Sequence, residues 1–145
     1  MVRLGERLQR FAAEKIPAIL GTVRQDGSAQ LIPVWFEYAD RYLWINGGPN
    51  RAWLRHIRRD PRQRVTLLLI DPSNMWRWAQ IEGRVVEVTD EGAWEHIDHL
   101  SRRYFGREYQ RRPGEVRLKV KIEPLRVTGM DNFEPWDVSG KVASS

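Results

Sequence analysis

Asp26-Gly27 sits between two runs rich in β-branched and aromatic residues, Ala18 to Arg24 and Gln30 to Tyr38. An Asp-Gly pair supplies the positive φ values that a tight turn needs, so the two runs are expected to pair as antiparallel neighbours. Ala39-Asp40-Arg41 turns the chain again, and Tyr42 to Asn46 reads as a third strand. Pro33 has no N–H to give a ladder, which places it at a sheet edge or a local break. Strands that meander through turns this short build antiparallel sheets, because a parallel pair needs a long crossover.

The remaining segments extend that pattern. Leu4 to Ile16 is helix-like, with Leu4, Leu8, Phe11 and Ala12 on one apolar stripe that Pro17 ends. Asn50 is expected to cap a short helix running to about Arg59, in which Trp53, Leu54 and Ile57 share a face. Gln63 to Ile70 and Met75 to Val88 read as strands, the second bent or bulged at Gly83. Thr89 is expected to cap a third helix whose core stripe is Ala93, Ile97, Leu100 and Tyr104. Further on, Val116, Leu118, Val120 and Ile122 face one way and Arg117, Lys119, Lys121 and Glu123 the other. Pro124 is expected to break that strand, leaving Leu125 to Thr128 as a last short one. About six strands in a chain of this length curl and close rather than lie flat. The expected fold is α+β, an antiparallel barrel with flanking helices over residues 1–130, followed by a tail at 131–145.

Composition narrows the chemistry. At 145 residues the chain fits one domain, a size that buries roughly 68–70% of the unfolded surface. It has no cysteine, which excludes a disulfide scaffold, thiolate catalysis and Cys-ligated zinc or iron–sulfur sites. No apolar stretch approaches the ~20 residues of a membrane helix. Met1 to Arg7 lacks the apolar region of a signal peptide, so a cytoplasmic location is expected. There are 24 Lys+Arg against 19 Asp+Glu, a net charge of +5. All but four of those basic residues are arginine, and there are seven tryptophans. A planar fork of donors and a large stacking face together suit a planar, anionic ligand. The run Arg55, Arg58, Arg59, Arg62 and Arg64 with interleaved aromatics also suits a nucleic-acid-binding module. Against that reading, the run lies on a helix ended by Asp60-Pro61, and the acidic count is high for such a module.

Candidate sites are few. His96 and His99 stand at i, i+3 near Glu95 and Asp98, a spacing that could hold a metal, but they read as solvated surface residues. His56 lies in the arginine run, with no serine or carboxylate beside it in sequence to make a triad. Gly47-Gly48 leads into a helix start with Arg51 in the first turn and Arg55 one turn on. Exposed N–H groups, the positive end of a helix dipole and a guanidinium are the recipe for an oxyanion site. The plainer reading is a capped surface helix with basic decoration.

Three segments taken together resemble a known family. They are Gln30 to Phe36, Leu43 to Arg62 and Met75 to Val85. Their order and spacing are similar to the split β-barrel flavin/deazaflavin oxidoreductases related to pyridoxamine 5'-phosphate oxidase, over about Ile16 to Met130. The short helix ending Arg58-Arg59-Asp60-Pro61-Arg62 before an apolar strand most resembles the branch that uses the deazaflavin F420. The resemblance implies a homodimer with the cofactor, F420 or alternatively FMN, at the subunit interface. By position, Arg51 and Arg55 match the basic residues that hold phosphate. Ile32, Pro33, Val34 and Asn46 match strand positions lining the ring, and Gln80 would contribute from the other wall. Trp53 stands where many relatives carry a phosphate-binding lysine, which shifts the grip to Arg51 and the Gly47-Gly48 amides. The arginine-histidine substrate motif near the end of true pyridoxamine-phosphate oxidases is absent from Gly140 to Ser145, so vitamin B6 synthesis is not expected. The implied activity is hydride transfer between reduced deazaflavin and a small unsaturated or quinone-like acceptor. No catalytic acid is assigned; Tyr38 or Tyr42 would serve if the pocket opens toward them. Trp35, Trp44 and Trp78 stand either as aromatic walls or as core and dimer contacts.

Overall fold

In the computed structural model, which describes residues 1–140, all paired strands are antiparallel. The elements are β1 (Arg3–Leu4), α1 (Glu6–Ala13), β2 (Ala18–Val23), β3 (Ala29–Val34), β4 (Glu37–Ala39), β5 (Tyr42–Gly47) and α2 (Ala52–Arg59). They continue with β6 (Arg64–Asp71), β7 (Asn74–Thr89), α3 (Ala93–Phe105), β8 (Leu118–Asp131) and β9 (Val138–Ser139). Seven strands form one sheet in the order β3-β2-β6-β7-β8-β5-β4. Its two edge strands, β3 and β4, are consecutive in the chain and separated only by Trp35 and Phe36. Edges tethered that closely force the sheet to curl back on itself, and Phe36 is fully buried at the seam. The expected single strand from Gln30 to Tyr38 is therefore two strands on opposite edges, and Pro33 sits on an edge strand as its missing N–H requires.

The inward face is a continuous apolar interior. Leu20, Leu43, Ile45, Leu67, Leu69, Ile81, Val120 and Ile122 fill it, joined by Phe11 of α1 and Trp53, Leu54 and Ile57 of α2. The long strands β7 and β8 pair along most of their length, with register shifts at Glu82/Gly83 and at Val85/Glu87. Pro124 does not end β8. It pairs opposite Gly83 at the first shift, where the ladder is already interrupted and no donor is missed. α3 packs on β5 and β8, and its stripe Ala93, Ile97, Leu100 and Tyr104 is buried.

Helix starts depart from the sequence expectation. Arg51 and Gly92 stand at the cap positions before α2 and α3 without making a side-chain cap, and Thr89 instead accepts from the Glu91 N–H. α1 is capped from a distance. The Asp137 carboxylate accepts the N–H groups of Arg7 and Leu8, each at 2.9 Å, and β9 pairs with β1. Residues 131–140 are thus packed on the domain and are not a loose tail; 141–145 lie outside the described residues. Burial pushes the Asp137 carboxyl up, but the two backbone N–H groups more than offset it and leave it below its ordinary value of 3.8. The cap is complete above that value and is lost as pH falls through the lowered one. Asp137→Ala is expected to destabilise by about 1 kcal/mol at neutral pH. The deficit should shrink in melts at progressively lower pH.

Candidate functional site

Two cavities meet beside the start of α2. The first, of about 370 Å³, is lined by Pro17, Ile32, Pro33, Val34, Trp35, Asn46, Gly47, Arg51, Trp53, Ile97, Leu100, Tyr109 and Arg117. The second, of about 550 Å³, is bounded by Gly48 to Arg51, by Tyr109 and by Arg112 to Arg117. Arg51, Tyr109 and Arg117 belong to both. The first cavity therefore has apolar walls from the edge strand β3 and from α3. The guanidiniums of Arg51 and Arg117 stand where the two cavities join, and Arg112 adds a third in the second. A flat apolar group with an anionic extension suits this shape and charge.

Of the positions proposed from the sequence, Ile32, Pro33, Val34, Asn46, Gly47, Arg51 and Trp53 line the first cavity, and Gly48 lines the second. Arg55 lines neither; its guanidinium turns back to donate to the Asn50 carbonyl. Gln80 also lies outside both cavities. It faces outward on β7, in a cross-strand row that runs Pro33, Ile19, Leu68, Gln80. Tyr38 borders a different cavity, and Tyr42 packs on Trp44 beneath Lys121. Trp35 alone of the three tryptophans proposed as walls lines the first cavity, stacked on Tyr104 with ring centroids 5.5 Å apart.

Trp53 is part of the core, only 3% exposed. Its indole fills the space over Gly47, where a Cβ would overlap Trp53 Cζ2. Gly47→Ala is thus expected to cost about 1–3 kcal/mol, because a buried indole has nowhere to retreat. A lower melting temperature, together with weaker ligand uptake in the same preparation, would check this.

Sequence reasoning missed the segment after α3, where no periodicity signals a wall. Asp98 is buried on α3 and accepts the Tyr109 N–H at 3.0 Å and an Arg111 N–H at 3.1 Å, while Arg111 lies over the Trp94 ring. These contacts hold the segment across the cavity mouth. Tyr109 Oη donates to Glu115 Oε2 at 2.7 Å, and Arg117 Nη1 donates to the same oxygen at 3.2 Å. Burial and that hydrogen bond push the Tyr109 phenol up. Burial also pushes the Glu115 carboxyl up, but its donors more than offset this and hold it below its ordinary range. At neutral pH the cluster is a neutral phenol, a carboxylate and a guanidinium.

The histidines are placed differently from expectation. His96 is buried, 5% exposed, behind the cavity wall rather than solvated. His99 is exposed, with Nε2 2.6 Å from Glu37 Oε2. His56 is half-buried against Thr22, with Nδ1 3.0 Å from Oγ1. Desolvation and the charges of Arg59, Arg24 and Arg55 keep its imidazole below the ordinary value. Among the described residues no group of three or more His, Asp or Glu is placed to hold a metal ion. No helix among them is long and apolar enough to cross a membrane.

Comparison with known proteins agrees with this geometry. No curated protein matches the chain. Among solved structures, an F420 reductase superposes with a TM-score of 0.73 at 23% identity, covering 83% of this chain and 94% of its own. A conserved hypothetical protein from Mycobacterium tuberculosis gives 0.64 at 22% identity, covering 94% and 86%. The heme storage protein HutZ from Vibrio cholerae gives 0.61 at 15% identity, covering 88% and 94%. At these identities the likeness concerns the fold. The family model described as pyridoxamine 5'-phosphate oxidase matches residues 4–129. With the antiparallel split barrel and its flanking helices, that match over most of the sequence makes the chain a member of the pyridoxamine 5'-phosphate oxidase family.

Proposed function

We propose that this chain is an F420-dependent oxidoreductase that transfers a hydride between reduced deazaflavin and a small unsaturated or quinone-like acceptor. The observation that carries the reading is the junction of an apolar, strand-walled cavity with a basin holding Arg51, Arg112 and Arg117. F420 joins a flat tricycle to a phosphodiester and a polyglutamate tail, so it matches both halves. When bound, the deazaflavin would supply the hydride. The chain's own residues would do the rest: Ile32, Pro33, Val34 and Ile97 exclude water from one face, and Arg51 and Arg117 neutralise charge.

The same reading includes a homodimer. The outward face of β2, β3 and β6 carries Ile19, Leu68 and Ile70 half-buried and Leu31 and Pro33 exposed, an apolar patch of the kind that marks an interface. The row Pro33, Ile19, Leu68, Gln80 has its apolar centre between Ile19 and Leu68. A two-fold axis there would set the Gln80 of one protomer opposite the Pro33 of its partner. Gln80 would then reach a cavity it does not line within its own chain.

FMN is the second reading, since its single phosphate also fits the basic basin. A heme role like that in the name of the Vibrio cholerae relative finds less support, because no histidine lines either cavity. Spectral titration with F420 and FMN side by side tests the proposal. Saturable micromolar uptake of F420 by colourless protein is the expected result. Protein that is yellow as isolated and indifferent to F420 would replace it with the flavin reading, and sedimentation as a monomer would remove the dimer.

A further inference from the structure

Arg117 stands where strand alternation predicts a solvent-facing side chain, yet it is only 9% exposed. A buried guanidinium is costly unless its donors are used. Nε donates to Asn46 Oδ1 at 2.8 Å and Nη1 to Glu115 Oε2 at 3.2 Å. Nη2 has no hydrogen-bond partner among the described residues, and the side chain lines both cavities where they join. Glu115 is the one carboxylate in a lining that carries Arg51, Arg112 and Arg117. The junction remains positive, with a fork of donors available to an oxygen anion.

The direction of that fork is set from behind the cavity wall. Arginine cannot accept a hydrogen bond, so the oxygen of the Asn46 amide must face Arg117. The Asn46 nitrogen then faces the other way, donating to the Ala93 carbonyl at 2.9 Å and lying 3.2 Å from His96 Nδ1. Nδ1 must therefore be the accepting nitrogen, and the His96 hydrogen sits on Nε2. Nε2 is buried, 3.3 Å from Glu37 Oε1, too far off line for a good hydrogen bond but facing its charge. A carboxylate, which only accepts, is the neighbour that this tautomer requires. Glu37 is in turn held by His99 on its other oxygen. From His96 Nδ1 through Asn46 to Arg117 each donor and acceptor thus has one consistent assignment, and the His96 Nε2–H faces the Glu37 charge.

We propose that Arg117 binds an oxyanion of the ligand at the junction of the two cavities, and that His96 and Glu37 are positioning residues that aim its guanidinium through Asn46. The inference rests on the reading of these cavities as the cofactor site, and it adds the residues that aim the Arg117 guanidinium there.

The test follows the Arg117 Nε–H resonance in 15N-labelled protein, assigned by its loss in Arg117→Lys, while inorganic pyrophosphate is added. In the wild type the signal is expected to exchange slowly with water and to shift saturably. His96→Leu removes the acceptor for Asn46; it should speed that exchange and weaken pyrophosphate binding about tenfold. His96→Asn offers a carboxamide oxygen where Nδ1 stood and should restore both, which a merely space-filling role would not do. Glu37→Leu should behave as His96→Leu. An Arg117 signal indifferent to pyrophosphate, or unchanged in folded His96→Leu, overturns the proposal. F420 uptake unaltered by Arg117→Gln assigns the oxyanion to the acceptor, provided pyrophosphate still shifts the signal in F420-loaded protein; if it does not, the proposal fails. Protein that binds neither F420 nor FMN yet keeps the pyrophosphate response sinks the cofactor reading and leaves Arg117 as an oxyanion site.

Discussion

Trp136→Ala is expected to lower stability by about 3–5 kcal/mol, the range for deleting a buried large aromatic. At about 2–4 °C per kcal/mol for a chain near this size, the melting temperature should fall by roughly 10 °C. Trp136 stacks on Phe11 with centroids 5.0 Å apart and planes at 11°, and its indole N–H donates to the Trp78 carbonyl at 2.7 Å. Arg7 covers the ring at 5.4 Å. Alanine would leave the Trp78 carbonyl without that donor and open a gap beneath α1. Phe133→Ala is the control. That ring is 71% exposed, stacked only on the half-exposed Trp76, and its loss should cost no more than about 0.5 kcal/mol. A loss for Trp136→Ala as small as that expected of the control would mean that the Trp136 ring contributes nothing to the core.

With F420 held as proposed, Arg51→Glu is expected to weaken its binding by at least about 100-fold. A charge-assisted hydrogen bond contributes about 1.5–3 kcal/mol, and reversing its sign adds repulsion. Arg51 is exposed at the start of α2 and lines both cavities, so the folded state should tolerate the change. Arg55→Glu one turn along should weaken binding by less than about threefold, because its guanidinium serves the Asn50 carbonyl and lines neither cavity. Spectral titration of both variants checks the pair. Sequence spacing alone makes the two arginines equivalent, so a large loss at Arg55 would count against the geometry described above.

Much of the architecture was legible because it rests on local periodicity. The buried faces of α2 and α3, the Asp26-Gly27 hairpin and the bulge at Gly83 each follow from residues a few positions apart. What escaped was decided by partners far away in sequence. Trp35-Phe36 carries no turn signal, since the chain there crosses a barrel seam. Pro124 is tolerated only because Gly83 stands opposite. His96 lies beside the stripe of α3, and Trp44 and Glu37 from other strands complete its burial. Arg117 lies just before β8, where Asn46, Tyr109 and Glu115 cover a side chain that strand alternation would leave in water. For the site, the Gly47-Gly48 loop and Arg51 were legible as a helix start with exposed donors, the strand positions came from family resemblance, and Tyr109, Arg112 and Arg117 came only from the fold.

The remote cap on α1 has a consequence for biosynthesis. α1 receives its capping carboxylate, and the indole beneath it, from some 130 positions later in the chain. Until that segment emerges the nascent barrel carries an unfinished end, with Phe11 uncovered and two backbone donors seeking water. Chains stalled or nicked upstream of Trp136 should therefore present α1 as a sticky, protease-sensitive segment.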